Sequence, residues 1–283
     1  MSQHLVPSLP TPDVCARVAI AAAGLSGNRS IGHALKACGS AIELVAAAWD
    51  EDPTLELDAE TAHRLRTLGR PSLVAAVLDV TAHLGLTVLT PQDECWPHHL
   101  DSLGAAAPVV LWVGGDPMIL LEPPIAITGD THPDPELQHE VIDLVSRIAD
   151  DGWTTATTGR PGVDQLAGRA ATVMAGDLIT VTTTARRTRR ASEVVVSENP
   201  PQLPVVLGSS LRTPILLAGI AGKILIAGGA AGSGAMRTGI AGHALGRPLG
   251  VLPYGVGRAG DGGLHERFGI PVVGSLAEVE RLI

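Results

Sequence analysis

The sequence predicts an α/β protein in which a small all-helical unit precedes a largely parallel sheet. Three observations carry this. From about residue 86 onward, short apolar runs alternate with helical segments, which is the rhythm of βαβ units. Before that point every patterned segment reads as a helix. Aromatic residues make up 2% of the 283 residues and apolar residues 45%. Ala, Val, Leu and Gly must therefore fill the core, which suits helices packed closely on a sheet better than a β-sandwich. A charged fraction of 17% at this apolar content excludes a disordered chain. The few aromatic rings argue against recognition by stacking many bases.

The helical unit is expected over residues 1–85. Val14 to Ala23 is apolar and stops at Gly24, and Ile31 to Cys38 follows Asn28 and Ser30 and stops at Gly39. Ser40, Ala41, Ile42 and Glu43 have the spacing of a capping box for a helix running to Trp49. The acidic, proline-containing stretch Asp50 to Asp58 reads as a linker. Helices over Ala59–Leu68 and Ser72–His83 close on Gly69 and Gly85.

The sheet domain is expected over residues 86–283. Its candidate strands are Leu86–Leu89, Val109–Val113, Ile125–Thr128, Trp153–Thr157, Leu178–Val181, Val194–Val196, Ile224–Ala227 and Pro248–Leu252. Helices are expected over Pro135–Asp150, Val163–Ala175, Leu211–Ile220 and Met236–Leu245. In such sheets ligands bind beyond the carboxyl ends of the strands. Those ends carry Thr128-Gly129-Asp130, Thr158-Gly159-Arg160 and the run Gly228 to Gly234.

Charge is unevenly spread along the chain. The net charge is −9, yet Pro91 to Gly159 holds twelve acidic residues and one basic residue, Arg147. Arg160 to Arg258 holds eleven basic residues against four acidic ones, and no carboxylate lies between Glu198 and Asp261. This asymmetry points to a basic surface for a phosphate-bearing ligand. Cys15, Cys38 and Cys95 are at no metal-ligand spacing and read as reduced, buried small hydrophobes of a cytoplasmic protein. The first twenty residues lack a basic segment followed by an apolar run, so no secretory signal is expected. Pro214 to Met236 is the most apolar stretch, and Lys223 with its glycines makes it a buried helix–strand unit, not a membrane span.

The glycine-rich run is the strongest phosphate signal. Gly229, Gly232 and Gly234 expose backbone N–H groups between a strand and a helix, Ser233 can donate to a phosphate, and Arg237 and Thr238 follow. The competing reading is a turn that packs a helix closely on the sheet. Arg160, Gly162 and Asp164 form a second strand-to-helix turn, where Asp164 either meets a ligand or caps the helix. Arg186, Arg187, Arg189 and Arg190 follow a strand end and read as phosphate contacts or as solvated surface. Trp96-Pro97-His98-His99 reads as a turn, not a metal site. No nucleophile elbow, metal cluster or general acid–base pair is evident, so no catalytic residue and no cofactor is expected.

The order of these motifs resembles the DNA-processing protein A (DprA, or Smf) family. Trp96-Pro97-His98-His99-Leu100 and Pro108 to Gly114 are similar to the entry pattern of its extended Rossmann-like domain. Thr128-Gly129-Asp130-Thr131 stands where the family has Val-Gly-Ser-Arg, without the Arg. Thr158 to Asp164 resembles its Ser-Gly-x-Ala-x-Gly-Ile-Asp, one residue shorter. Ser197-Glu198-Asn199-Pro200, Arg212 to Gly219, Gly228 to Ala235 with Thr238, and Gly246 to Pro253 continue the series, followed by Gly260-Asp261-Gly262-Gly263-Leu264 and Gly269. Two basic positions of the family are lost, and the loop around residue 185 is shortened.

The resemblance implies an extended Rossmann-like domain with a parallel or mixed sheet, preceded by a helical module of the SAM or helix-hairpin-helix type. It also implies a cytoplasmic homodimer that binds single-stranded DNA, with no membrane association. Such a protein would load a RecA-type recombinase during natural transformation or recombination. The expected phosphate contacts are Gly129, Arg160, Gly162, Asp164, Arg186, Arg187, Arg189, Arg190, Arg212, Gly229, Gly232, Ser233, Gly234, Arg237 and Thr238. The apolar segment Pro214–Ala227 is the expected source of dimer surface. A nucleotide sensor or phosphoribohydrolase of the same superfamily is the alternative, and a decayed paralogue retaining only dimerisation is a third reading. Against hydrolysis stands the missing carboxylate that cleavage of an N-glycosidic bond generally uses.

Overall fold

A computed structural model describes residues 10–203, 209–253 and 263–282. Five helices come first: α1 (Pro12–Ala22), α2 (Arg29–Cys38), α3 (Ala41–Trp49), α4 (Ala59–Leu68) and α5 (Pro71–His83). Their starts follow capping chemistry, with the side chains of Thr11, Asn28, Ser40 and Asp58 each accepting from the first turn. Pro12 and Pro71 stand where their missing N–H costs nothing. The Asp50–Asp58 stretch is more than a linker, because Leu55 and Leu57 pack against the helical core.

The remainder alternates as predicted, with β1 (Thr87–Leu89), β2 (Leu111–Gly114), β3 (Ile125–Gly129), α6 (Pro135–Asp150), β4 (Thr155–Thr157), α7 (Val163–Val173), β5 (Leu178–Val181) and β6 (Glu193–Ser197). Then follow α8 (Ser209–Ile220), β7 (Lys223–Ala227), α9 (Gly234–Ala244), β8 (Leu249–Val251), α10 (Leu264–Phe268) and α11 (Leu276–Glu280). The strands form one sheet in the order β1-β2-β6-β5-β4-β3-β7-β8. From β6 to β8 all neighbours are parallel, whereas β2 pairs antiparallel with both β1 and β6. The sheet is therefore mixed, and all eight expected strand segments contribute to it.

Alternation along the strands sends side chains to two layers. Leu111 and Val113 of β2, Ala126 of β3 and Ile224 and Ile226 of β7 face α8 and α9. Ile125, Ile127, Leu225 and Ala227 face α6, α7 and α11. Val110 and Trp112 face the helical unit, whose core they share with Val18, Ile20, Leu44 and Leu65. Two polar ties reinforce this join. The Trp112 indole N–H donates to Thr81 Oγ1 at 3.1 Å, and Arg17, paired with Asp13, donates to the Val109 carbonyl at 3.1 Å.

Three expectations are corrected. Pro214–Ala227 offers no surplus apolar surface, since Leu216 to Ile220 and Ile224 to Ala227 are consumed in the chain's own core. The Trp96–His99 segment is not a simple turn. It leads into a 3-10 helix, His98–Ala106, kinked at Gly104, and Arg247 donates to His99 Nδ1 at 2.8 Å. The three cysteines are half-buried, not buried, and burial pushes the Cys38 and Cys95 thiols up. Among the described residues no single helix is long and apolar enough to cross a membrane. Gly260, Asp261 and Gly262 lie outside the described residues.

Because the helical unit and the sheet share one core, they are expected to unfold together. Trp112→Ala removes a fully buried indole at that join, which should lower stability by about 3–5 kcal/mol. Urea unfolding followed by far-UV circular dichroism and by fluorescence should give coincident transitions. Separate helical and sheet transitions in the wild type would contradict a shared core.

Candidate nucleic-acid interface

Strand β3 lies between β4, which it reaches through α6, and β7, which leads through α9 to β8 on the other side. The winding direction reverses between β3 and β7, and that point is where open α/β sheets leave a crevice. Two loops meet there. Asp130 N–H, just past β3, donates to the carbonyl of Ala227, the last residue of β7, at 3.0 Å. Beyond Ala227 the chain makes the Gly228–Ser233 loop and enters α9.

Beneath this mouth sits Asp164, 4% exposed, on the first turn of α7. Its Oδ2 accepts from Thr128 Oγ1 at 2.8 Å and from Gly129 N at 3.3 Å. Its Oδ1 accepts from Thr158 N at 3.1 Å and from the Thr158 hydroxyl. Burial pushes the carboxyl above its ordinary 3.8, with the Thr158 and Thr128 hydroxyls and the Thr158 and Gly129 N–H groups pulling the other way. Asp164 thus ties the ends of β3 and β4 to α7. It makes no capping hydrogen bond to its helix, and both oxygens are engaged by the strand ends. The Gly129 N–H is turned inward to the same carboxylate.

The loop between β4 and α7 depends on Gly162, at φ 90°. A side chain there would strain the backbone and would stand 2.2 Å from the Asp130 carbonyl. This turn delivers Arg160 across the mouth. Arg160 Nη2 donates to the Ser210 carbonyl at 3.0 Å. Pro214 stands four residues further along α8. Lacking an N–H, Pro214 cannot bond that carbonyl, so Ser210 is left to accept the guanidinium. Arg160 also rests on Gly234, where an added Cβ would lie 2.8 Å from Nη1.

Helix α9 opens beside this arginine. Ser233 caps it by accepting from Met236 N at 3.3 Å, and no acidic residue stands in its first turn. The N–H groups of Gly234 and Ala235 belong to the first turn, which has no intrahelical acceptors, and they mark the positive end of the helix dipole. Gly232 is exposed, Gly229 is buried, and Arg237 is exposed with Nε on the Gly232 carbonyl at 3.3 Å. The mouth therefore gathers Arg160, Gly162, Gly229, Gly232, Ser233, Gly234 and Arg237. Its donors are mostly backbone amides and arginine, suited to an anion, and the one carboxylate just past β3, Asp130, accepts from the His132 N–H at 3.0 Å.

Other expected contacts are elsewhere. Thr238 is buried and its hydroxyl donates within α9 to the Gly234 carbonyl. Arg212 is held by both carboxylate oxygens of buried Glu198, at 2.9 and 2.8 Å, and by the Ala106 carbonyl. Its charge is neutralised inside the protein. Arg186–Arg190 follows the carboxyl end of β5 in sequence, but the parallel connection must carry the chain back to the start of β6. The Arg186 carbonyl lies against Gly114, which pairs with Val195, and Arg190 reaches the Thr172 carbonyl at the end of α7. This cluster is at the opposite edge of the sheet from the mouth. Sequence reading missed Glu198 as a counter-ion, Thr128 and Thr158 as donors, and Pro214 as the reason for a free carbonyl. Of these, only the mid-helix proline carried a local signal.

A model of the DNA recombination-mediator protein A family matches residues 87–268. The chain belongs to this family. Its fold is that of the family's solved members. DNA processing protein A from Streptococcus pneumoniae aligns at a TM-score of 0.76 and 18% identity, over 95% of this chain and 97% of that one. The Helicobacter pylori protein, described for a single-stranded DNA binding mode, aligns at 0.55 and 22% identity, over 67% of this chain and 91% of that one. Comparison with curated proteins gives no match. Membership covers β1 to α10 and includes every element of the mouth.

Asp164→Asn sets an amide NH₂ against one of two backbone N–H groups, and an unmet buried donor costs about 1–3 kcal/mol. The carboxyl's raised native value also fixes a pH trend. The stability it contributes is full below its unfolded value of 3.8 and is lost as pH rises through the raised native value. The wild type's advantage over Asp164→Asn should therefore shrink from acid toward neutral pH in urea titrations. An advantage that grows with pH would contradict this placement.

Proposed function

We propose that this protein binds single-stranded DNA at the mouth between β3 and β7. We further propose that it serves DNA uptake or recombination as a homodimer that loads a RecA-type recombinase in the cytoplasm, without catalysing a reaction. One observation carries the DNA reading. The open N-terminus of α9 meets an arginine held across it, at the point where the sheet reverses. Backbone N–H donors and guanidinium groups recognise phosphate oxygens whatever the base, as binding of a strand without sequence preference requires. Two aromatic side chains among the candidates for stacking, Trp49 and Trp153, are exposed, but neither belongs to this mouth. Family membership supports the mediator role and the dimer, and the mouth belongs to the proposed 86–283 domain, with 1–85 as a separate helical module.

Titration with oligothymidylate beside thymidine monophosphate, at two salt concentrations, tests this reading. Each phosphate neutralised on a single strand contributes about 0.7 to the slope of log affinity against log salt. Replacing Arg160 and Arg237 by Gln should weaken binding and flatten that slope by about 1.4. Gly234→Val, which displaces Arg160 and crowds the first turn, should weaken binding while retaining the charges. Equal affinity for the mononucleotide with little salt dependence would favour a nucleotide sensor. Release of free base would make the protein an enzyme.

A further inference from the structure

The four arginines at the opposite edge remain to be accounted for. Arg186, Arg187, Arg189 and Arg190 are all exposed. Arg186 pairs with Glu193 at 3.1 Å, at a side-chain exposure of 60%. Arg190 donates to the Thr172 carbonyl at 2.7 Å, at the negative end of the α7 dipole. Arg187 runs over Gly85, and among the described residues no carboxylate pairs with Arg187 or Arg189. Four like charges within five residues repel one another, and one carboxylate does not neutralise them. The loop exposes no apolar side chain larger than Ala191, so it lacks the anchor that a protein partner's contact usually needs. Guanidinium groups at close spacing match a run of phosphates, each accepting two N–H donors.

We propose that Arg186, Arg187, Arg189 and Arg190 form a second phosphate-backbone surface, which takes a strand extending beyond the mouth. The proposal rests on the mouth being the primary site. The two surfaces are separated along the strands by four residues in β5, roughly 13 Å, and across the sheet by the three spacings from β3 to β6, roughly 14 Å, so the path around the surface is longer than either. A strand of a few nucleotides seated at the mouth does not reach the cluster, whereas a long one follows the surface to it. Contacts at both edges would make affinity rise with strand length beyond what the mouth alone gives.

The experiment compares tetrathymidylate with an oligothymidylate of about thirty nucleotides, above the roughly 4–16 nucleotides that one binding fold occupies. Each is titrated against the full chain, against the quadruple Arg→Gln variant of the cluster, and against the Arg160→Gln, Arg237→Gln variant. A quadruple Arg→Lys variant retains charge without the paired donors. Circular dichroism melting confirms that each variant is folded. The quadruple Gln variant should leave tetrathymidylate binding unchanged, weaken the long strand, and flatten its salt slope by about 1.4 for two contacts to 2.8 for four. The Lys variant should recover most of the slope. Unchanged long-strand affinity and slope would overturn the second surface while leaving the mouth intact, and would leave the cluster to an acidic protein partner or to solvent. Equal weakening of both oligonucleotides would also overturn it, by placing the cluster within the primary site. If the mouth variant has no effect on either strand, the primary reading fails first and separately.

Discussion

Asp164 accepts hydrogen bonds from the ends of two neighbouring strands, β3 and β4, while sitting in the first turn of α7, the helix that follows β4. A carboxylate there has lost its water, and only hydroxyl and backbone donors from β3 and β4 replace it. Those donors arrive together only if Thr128, Gly129 and Thr158 end their strands at one level beside α7. The clamp thus sets the height at which the β4–α7 loop leaves the sheet, and that loop carries Arg160. Satisfying the buried acid and aiming the arginine are consequences of the same local geometry.

The mouth that results has few charges of its own, and backbone does much of what side chains do elsewhere. The arginine missing after Gly129 and the Arg212 guanidinium spent on Glu198 leave Arg160 and Arg237 as its basic groups. Binding through amides and a helix terminus is less dependent on salt than binding through a row of arginines. Arg186, Arg187, Arg189 and Arg190 are displaced to the far edge. The sheet therefore carries two basic surfaces of different character, one at each edge. The helical unit touches the second where Arg187 runs over Gly85, and it is joined to the sheet by the common core through Trp112.

Local patterns revealed the fold because they coincide with tertiary demands. Most of the apolar runs that read as strands are buried on both faces, Thr87 of β1 and Trp153 before β4 being exposed, so short β-branched stretches such as Val194–Val196 needed no partner to be recognised. Helix ends at Gly39 and Ser40 were legible for the same reason, since the capping groups are adjacent in sequence. Long-range pairings were not. Nothing near Arg212 announces that Glu198 is its partner, and a carboxylate after a glycine-rich turn looks alike whether it faces a ligand or two strand ends. The Arg186–Arg190 cluster shows the same limit. Its position after a strand end is correct in sequence, and only the return path of a parallel connection places it at the other edge. The 3-10 helix after Pro97 was hidden because its partners are distant in sequence: Arg247, 148 residues away, donates to His99, and Leu100 packs against Gly219.

The most direct test of the central claim is an amide chemical-shift map of the ¹⁵N-labelled protein titrated with oligothymidylate. A backbone-built anion site predicts the largest shifts at Gly232, Ser233, Gly234 and Ala235, with Arg160 and Gly162 moving in step. Asp164, whose environment is closed, should shift little. Shifts concentrated on the α1–α5 unit, with the first turn of α9 unmoved at saturation, would contradict the account.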